Sequence, residues 1–530
     1  MKVTNIPFQK TRFFSKTMSD YLEKKETINS FYHNFPDING FKKQLEEKRA
    51  SFSLETREVL VRALQKQYAT IDISDKTEGN ITMLLNSNTF TVTTGHQLNL
   101  FTGPLYFLYK IISAINLSEE LKERFPEKEF VPVYWMATED HDFDEINYFN
   151  FNGKKVKWNR SDGGAVGHFS TEGLEEVFES FSEQLGTTRN ATYLKELFSE
   201  GYLKHNNLAD ATRYIANKLF AKYGLVIIDG DDRELKQLFS PYVEKELKEQ
   251  VSFKTVSKTI SELEKNYKIQ VNPREINQFY LGDNSRERII KEEDKYVVNN
   301  TDLVFTEKEI LKHLFEIPEK FSPNVIMRPL YQEVILPNLA YIGGGGELAY
   351  WLELKDYFNE VSVPFPILLL RNSVQVVSEK QQKKLNSLGV STEELFFKLN
   401  DLLAQKVKEN SEIQLDFSKQ REQLKIQFSH LKETAQKTDA SFLGAVKAQE
   451  KKQLNGLDNL EKRLLIAEKR RQQDLVVRIT DLKSQLFPNQ SLEERQRNFS
   501  EYYLEYGDGF IEALKLSLKP LQLEFTILEI

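Results

Sequence analysis

A β-branched apolar run, a glycine-bearing turn and a long amphipathic stretch, in that order, constrain this chain more than any other feature. Residues 90–94 read as a buried strand, Gly95-His-Gln-Leu-Asn-Leu-Phe-Thr-Gly-Pro104 as the turn, and 105–124 as a helix. A second apolar strand follows at 130–137. This is a βαβ unit, so the fold class is α/β with a parallel sheet. The turn sets backbone N–H groups and a positive helix end where an anion binds. Pro104 suits the first helical position, and Thr102 or Gly103 can cap. Gly95, His96, Gln97, Thr102 and Gly103 are therefore candidate ligand-binding residues, with His96 also a candidate for proton transfer. Lys110, on the helix, reads as solvated. Neither a Walker A pattern nor Gly-x-Gly-x-x-Gly is present.

The same alternation continues at 225–229 with a helix at 233–250, and at 361–370 with a final buried strand. Two insertions interrupt it, at about 150–210 and 251–323. The first opens with a hairpin-like 149–160 and an Asp162-Gly-Gly turn; the second carries short strands such as 278–282 and 295–298. The first eighty or so residues read as helices wrapping this core, which extends over 1–375. After Arg371 the composition changes: no proline occurs between Pro366 and Pro488. Leu424, Phe428, Leu431, Ala435, Thr438 and Phe442 recur in steps of four and three, the spacing of a coiled coil. Asp439 offers a helix cap, so an antiparallel hairpin of 411–437 and 439–486 is expected within a helical domain, 376–487. Residues 488–530 then return to the core and end in a short apolar strand.

Composition narrows the function. With 530 residues and 40% hydrophobic content, several units with sizeable cores are expected. A net charge of −7 argues against a sequence-independent nucleic-acid binder. No stretch suits a membrane span, and the first residues lack the apolar core of a signal peptide, so a cytoplasmic protein is expected. Cysteine is absent, which removes thiol nucleophiles, disulfides and Cys-based metal sites. Histidine is scarce, at seven residues, yet two of them, His96 and His141, follow closely on the two predicted strands.

Glu139-Asp-His-Asp-Phe-Asp-Glu145 places six ionisable groups within seven residues, just after the second strand. Crowded carboxylates repel unless a metal, an ammonium or an arginine relieves them. Glu139, Asp140, His141 and Asp142 are candidate catalytic residues on this basis, with Asp144 and Trp135 beside them as candidate binding residues. Whether a metal or an ammonium is the counter-charge stays open. A third segment runs from Arg328 and Gln332 to Gly343, Gly344, Glu347 and Tyr350. Its four consecutive glycines let a ligand approach the backbone, and Arg328 suits a carboxylate or phosphate. Arg371 is a weaker candidate of the same kind.

These segments resemble the bacillithiol biosynthesis cysteine-adding enzymes, the cysteine ligases, over nearly the whole chain. The markers are Thr94-Gly-His-Gln with Thr102-Gly-Pro-Leu, the run from Tyr134 through Glu145 to Ile146, Arg328-Pro with Gln332 and Leu336-Pro, Gly-Gly-Glu-Leu-Ala-Tyr350, and Leu492-Glu-Glu-Arg. The resemblance implies a Rossmann-like core akin to class I aminoacyl-tRNA synthetases, connective insertions, and a coiled coil that pairs two subunits. It implies amide formation between L-cysteine and the glucosamine amine of glucosaminyl malate, with ATP the expected activator and any divalent metal undetermined. Two positions depart from the pattern: many relatives have glutamine at His96 and proline at Gly345. The rival class is a nucleotide-binding scaffold that assembles through its coiled coil.

Overall fold

The computed structural model describes residues 1–161 and 163–530; Asp162, the first residue of the expected Asp-Gly-Gly turn, lies outside the described residues. Two compact units emerge. One comprises 1–9, 13–375 and 493–528, the other 10–12, 376–492 and 529–530.

The first unit is built on Thr89–His96 (β1), Tyr106–Arg124 (α1), Glu129–Met136 (β2), Val226–Asp229 (β3), Arg233–Glu249 (α2), Arg328–Ile335 (α3), Asn338–Gly343 (β4), Gly345–Trp351 (α4) and Ile367–Leu370 (β5). The strands form one parallel sheet in the order β5-β4-β1-β2-β3. Every residue of β1 is buried, four threonines included. Three of their hydroxyls find partners within the sheet. Thr91 and Thr93 donate to the Asn338 side-chain oxygen at 3.2 and 2.8 Å, and Thr94 to the Ile342 carbonyl at 2.8 Å. Buried hydroxyls satisfied in this way cost little and fix the register of β4 against β1. Phe90, Val92, Leu339, Ile342 and Leu369 of the sheet pack against Leu117 of α1 and against Phe41 and Leu45 of the N-terminal helix Ile38–Ser51. Each such side chain contributes roughly 1.5–3 kcal/mol on burial.

The first insertion starts with an antiparallel hairpin, Tyr148–Phe151 with Lys154–Lys157, and continues in helices. The second carries a five-stranded sheet, with the strand Arg286–Glu292 between Gln278–Leu281 and Lys295–Val298.

In the second unit, Ser418–Ala435 (α5) and Ala440–Arg471 (α6) form the hairpin, followed by Gln473–Leu486 (α7). Asp439 caps α6, accepting from the Ser441 and Phe442 N–H groups at 2.8 and 2.9 Å. Phe428, Ala435 and Val446 form the seam, flanked by Leu424 and Leu443. Arg421 pairs with Asp458 at 2.8 Å and also with Glu461, and Lys432 further along pairs with Glu450, so the two helices run antiparallel. The long second helix expected at 439–486 breaks at Gln472, and the first begins at Ser418 rather than near 411.

Candidate active-site cleft

In a sheet of this order the chain leaves β1 in one direction toward β3, then returns to build β4 and β5 on the other side. The topological switch point therefore lies between β1 and β4, and ligands bind beyond the carboxyl ends of strands at such a point. A cleft of about 700 Å³ opens there. Its lining includes Gly95, His96 and Gln97 from β1 and its turn, Tyr106 and Lys110 from α1, and Trp135 through His141 beyond β2. Arg274, Phe279, Arg286 and Arg288 come from the second insertion, Arg328 from α3, Tyr341 from β4, Gly344, Gly346, Glu347 and Tyr350 from the start of α4 and its first turns, and Arg371 and Arg495 from later in the chain. Seven of the lining side chains are cationic and three are carboxylates. A chain of net charge −7 thus concentrates positive charge in one cleft.

The turn after β1 faces two ways. Only its first residues reach the cleft. Its centre is anchored inside: Phe101 packs among Phe149, Phe181, Phe198 and Phe499. The Phe101 N–H donates to the Tyr202 hydroxyl at 2.7 Å, and the Asn498 amide donates to the carbonyls of Phe101 and Gly103 at 2.8 and 2.6 Å. Gly103 has φ +63°, and a Cβ there would meet the Asn99 Cβ at 2.6 Å, so no other residue fits. Thr102 is buried with φ +68°. Neither Thr102 nor Gly103 lines the cleft. Nor does Pro104 open the helix: α1 starts at Tyr106, and Leu105 precedes it without a side-chain cap.

Lys110 is not solvated. It is 3% exposed, and its ammonium reaches the Gly95 carbonyl at 2.7 Å and Glu347 at 2.6 Å. The helical run of apolar residues around it hides a basic residue whose stem is core and whose tip is cleft. Glu347 also accepts from the Tyr341 hydroxyl at 2.8 Å and from the Gly344 N–H at 3.1 Å, closing the first turn of α4. Burial pushes its carboxyl up, but Lys110 and these donors outweigh it, and the net shift is downward. Burial pulls Lys110 below its ordinary value against the pull of Glu347.

The His96 ring meets Tyr106 edge-on and Phe107 at a tilt, with centroids 5.5 and 5.0 Å away, and burial, aided by Lys110, holds its imidazole far below the usual range and neutral. Its Nε2 is buried and has no partner.

The acidic segment splits. Glu139 is deep, 2.6 Å from Lys236 of α2, which also holds Asp231 at 2.7 Å. Burial raises Glu139 and Asp231 adds to this, while Lys236 opposes. Asp140 accepts from Gln97 at 2.9 Å and from the His141 N–H at 2.7 Å. His141 receives an N–H from Arg286 on its Nδ1 at 3.0 Å, so its own proton sits on Nε2. Burial, then Arg286, keeps it below its ordinary value. Asp142 and Asp144 are exposed and stand outside the lining. The mutual repulsion expected of this run is therefore relieved by Lys236, Arg286 and Gln97. Among the described residues no group of three or more His, Asp or Glu converges in metal-holding geometry.

Arg328 lies within about 6 Å of the Trp135, Tyr341 and Trp351 rings, at 5.7, 5.6 and 6.0 Å. One nitrogen donates to Gln332 at 3.1 Å; Nη2 is buried without a partner. Gln332 is wholly buried behind it, and Gly343 ends β4 with its carbonyl accepting from the Arg371 N–H at 2.9 Å. Gly230 permits the Trp135 ring, since a Cβ there would lie 2.5 Å from Cζ2. Arg371 grips Glu494 with two nitrogens at 2.8 and 3.1 Å, both residues buried, so it braces the cleft wall. Sequence reasoning brought Gly95, His96, Gln97, Trp135, Glu139, Asp140, His141, Arg328, Gly344, Glu347, Tyr350 and Arg371 to the lining. It missed Lys110, Lys236 and the arginines of the second insertion, which sit in unremarkable amphipathic contexts.

Residues 1–372 match the family description "Bacillithiol biosynthesis BshC, N-terminal Rossmann-like domain", and 374–530 match "Bacillithiol biosynthesis BshC, C-terminal coiled-coil domain". The protein "Putative cysteine ligase BshC" of Flavobacterium johnsoniae is 57% identical, covering 99% of both chains. That of Christiangramia forsetii is 54% identical over 100% of this chain and 99% of its own. The protein of the same name from Bacillus anthracis is 30% identical over 73% of each. A solved structure described as a putative arginyl tRNA synthetase from Campylobacter jejuni covers 89% of this chain and 98% of its own at 10% identity and TM-score 0.22. No described helix is long and apolar enough to cross a membrane. With a doubly wound parallel sheet, a cleft at its switch point and relatives of one name that match along nearly all of the chain, this chain belongs to the BshC family of bacillithiol biosynthesis, the cysteine ligases.

Proposed function

We propose that the protein forms an amide between the carboxyl group of L-cysteine and the glucosamine amine of glucosaminyl malate, with ATP activating the carboxylate. One observation carries this reading: a cationic cleft in an acidic chain, at the point of the sheet where nucleotides and their relatives bind. Both the nucleotide and the acceptor are anions. A free carboxylate is a poor acyl donor, and ATP supplies the leaving group that makes it a good one.

The residues divide the work. Arg328, with Nη2 unpaired among aromatic rings, takes the cysteine carboxylate; Glu139 and Asp140 take its ammonium. Gly95 to Gln97, Tyr106 and Lys110 face the phosphates across the start of α1. His96, neutral and with a free Nε2, accepts a hydrogen bond from the attacking amine and so aligns its lone pair. Glu347, held ionised by Lys110, orients the amine. Two copies pair through the coiled coil, where Ile426, Leu431, Phe442, Leu460 and Ile466 are exposed.

Purified protein incubated with cysteine, glucosaminyl malate, ATP and magnesium is expected to yield bacillithiol by mass spectrometry. Accompanying AMP would signal an adenylate and ADP an acyl phosphate. Arg328→Ala should lower kcat/KM for cysteine by about a hundredfold, in line with loss of a charged hydrogen bond. No product from folded wild-type protein would overturn the reading in favour of a nucleotide-binding scaffold.

A further inference from the structure

The cations of the cleft differ in what they already hold. Arg371 and Lys110 are committed to Glu494 and Glu347. Arg286 is committed as well: its three nitrogens reach Ser322 Oγ, the Pro323 carbonyl and His141 Nδ1, each at 3.0 Å. Arg274 and Arg288 are not. Both are exposed, both line the cleft, and among the described residues no carboxylate pairs with either.

Their placement is orderly. Arg286 and Arg288 are two apart on one strand, so they project from the same face of the second insertion's sheet. Phe279 stands opposite Arg288 in the neighbouring strand, and the Arg286 guanidinium lies 4.1 Å from its ring centroid. Arg274 is fixed just before that strand by its own N–H, which donates to Asn277 Oδ1 at 3.0 Å. The result is an apolar ring with one braced guanidinium over it and one free guanidinium opposite it in the next strand, and a second free one, Arg274, lining the same cleft. Free guanidinium groups bind carboxylates bidentately, and two of them match two carboxylates.

We propose that Arg274 and Arg288 form a dicarboxylate subsite that recognises the malate end of the acceptor, with Arg286 as the positioning residue and Phe279 as the apolar floor. This rests on the acceptor assigned above. The subsite makes the acceptor's anionic aglycone, rather than its sugar, the main determinant of choice. It belongs to the second insertion, whereas Tyr106 and Lys110 of the same lining belong to α1.

The test compares glucosaminyl malate with methyl glucosaminide, which has the amine but no carboxylates. Wild type should prefer glucosaminyl malate in kcat/KM by about a hundredfold. R274A/R288A should reduce that preference about tenfold or more while leaving the KM for cysteine within about twofold. Arg288→Lys, which keeps charge but not the fork, should fall between. An unchanged preference in R274A/R288A overturns the proposal, as does an equal loss in Arg495→Ala, which would mean a general positive field. Calorimetric titration of glucosaminyl malate alone separates this proposal from the ligase reading. If no acceptor is turned over but wild type binds glucosaminyl malate and R274A/R288A does not, the subsite stands and the ligase reading falls. Equal binding by both proteins, or by neither, overturns the subsite.

Discussion

The deep wall of the cleft and the loop that rims it make opposite use of charge. On the wall, Lys236 with Glu139 and Asp231, Lys110 with Glu347, and Arg371 with Glu494 are ion pairs closed to 2.6–2.8 Å around buried cations. On the rim, Asp142 and Asp144 are exposed acids, though they belong to the densest run of ionisable residues in the motifs. Density of charge in a sequence is therefore a poor guide to where charge is costly. An exposed cluster is screened by water, whereas a buried ion must be matched by a partner from a different part of the chain.

The largest expected consequence follows from removing the shared cation of the wall. Lys236→Met leaves Glu139 and Asp231 facing each other without Lys236, and it also loses the bond to the Glu319 carbonyl. Breaking a buried pair in this way costs about 3–5 kcal/mol. Chemical denaturation should register that loss, and Glu139→Gln in the same chain should restore part of it, because the two sites share a contact. A change under about 1 kcal/mol would mean that the wall is not held by its ion pairs.

How far this was legible in the sequence depends on what each residue needs. Strands, helices and the hairpin followed from periodicity, since β1, α1 and β2 each have a local pattern that tertiary contacts reinforce. The cleft lining followed where a glycine or a motif marked the end of a strand, as at Gly95, Gly344 and Trp135. Lys110 and Lys236 were hidden because an amphipathic helix shows a lysine as solvent-facing whether its tip meets water or a buried carboxylate. Glu494 as the partner of Arg371 was equally out of reach, since 123 residues separate them. The turn after β1 misled in another way. Its glycine and threonine suggested an open anion loop, but Phe101 turns the middle of it into a core anchor.

Glu353 sharpens the contrast, because it is a fully buried acid without a cation. Its Oε1 accepts from the Gln270 N–H at 2.8 Å, Oε2 has no partner, and burial pushes its carboxyl from 4.5 to about 7. The folded protein holds this proton more tightly than the unfolded chain. The contribution to stability is thus fully present below about pH 4.5, declines as pH rises, and is lost above about pH 7. The difference amounts to on the order of 3 kcal/mol. Glu353→Gln keeps an acceptor for Gln270 but cannot ionise. Its melting temperature should exceed that of wild type at pH 8 and match it at pH 4. Parallel profiles for the two proteins across that range would show that Glu353 does not titrate in the fold.

The smallest effect should come from the rim. Asp144 accepts from the Asn147 amide at 3.3 Å, and Asp142 holds no side-chain cap on the short helix Phe143–Ile146 that it precedes. Neither carboxylate is buried, and surface substitutions of this kind usually stay within about 0.5 kcal/mol. Asp142→Ala and Asp144→Ala should therefore unfold with wild-type midpoints. Turnover then separates the rim from the wall. His141 lines the cleft and holds Arg286, so His141→Ala should lower kcat/KM by about tenfold or more, whereas Asp142→Ala should change it by less than about threefold. Should Asp142→Ala abolish turnover in a protein of unchanged stability, the exposed carboxylate must act on substrate directly, and the acidic run would function as one unit across rim and wall.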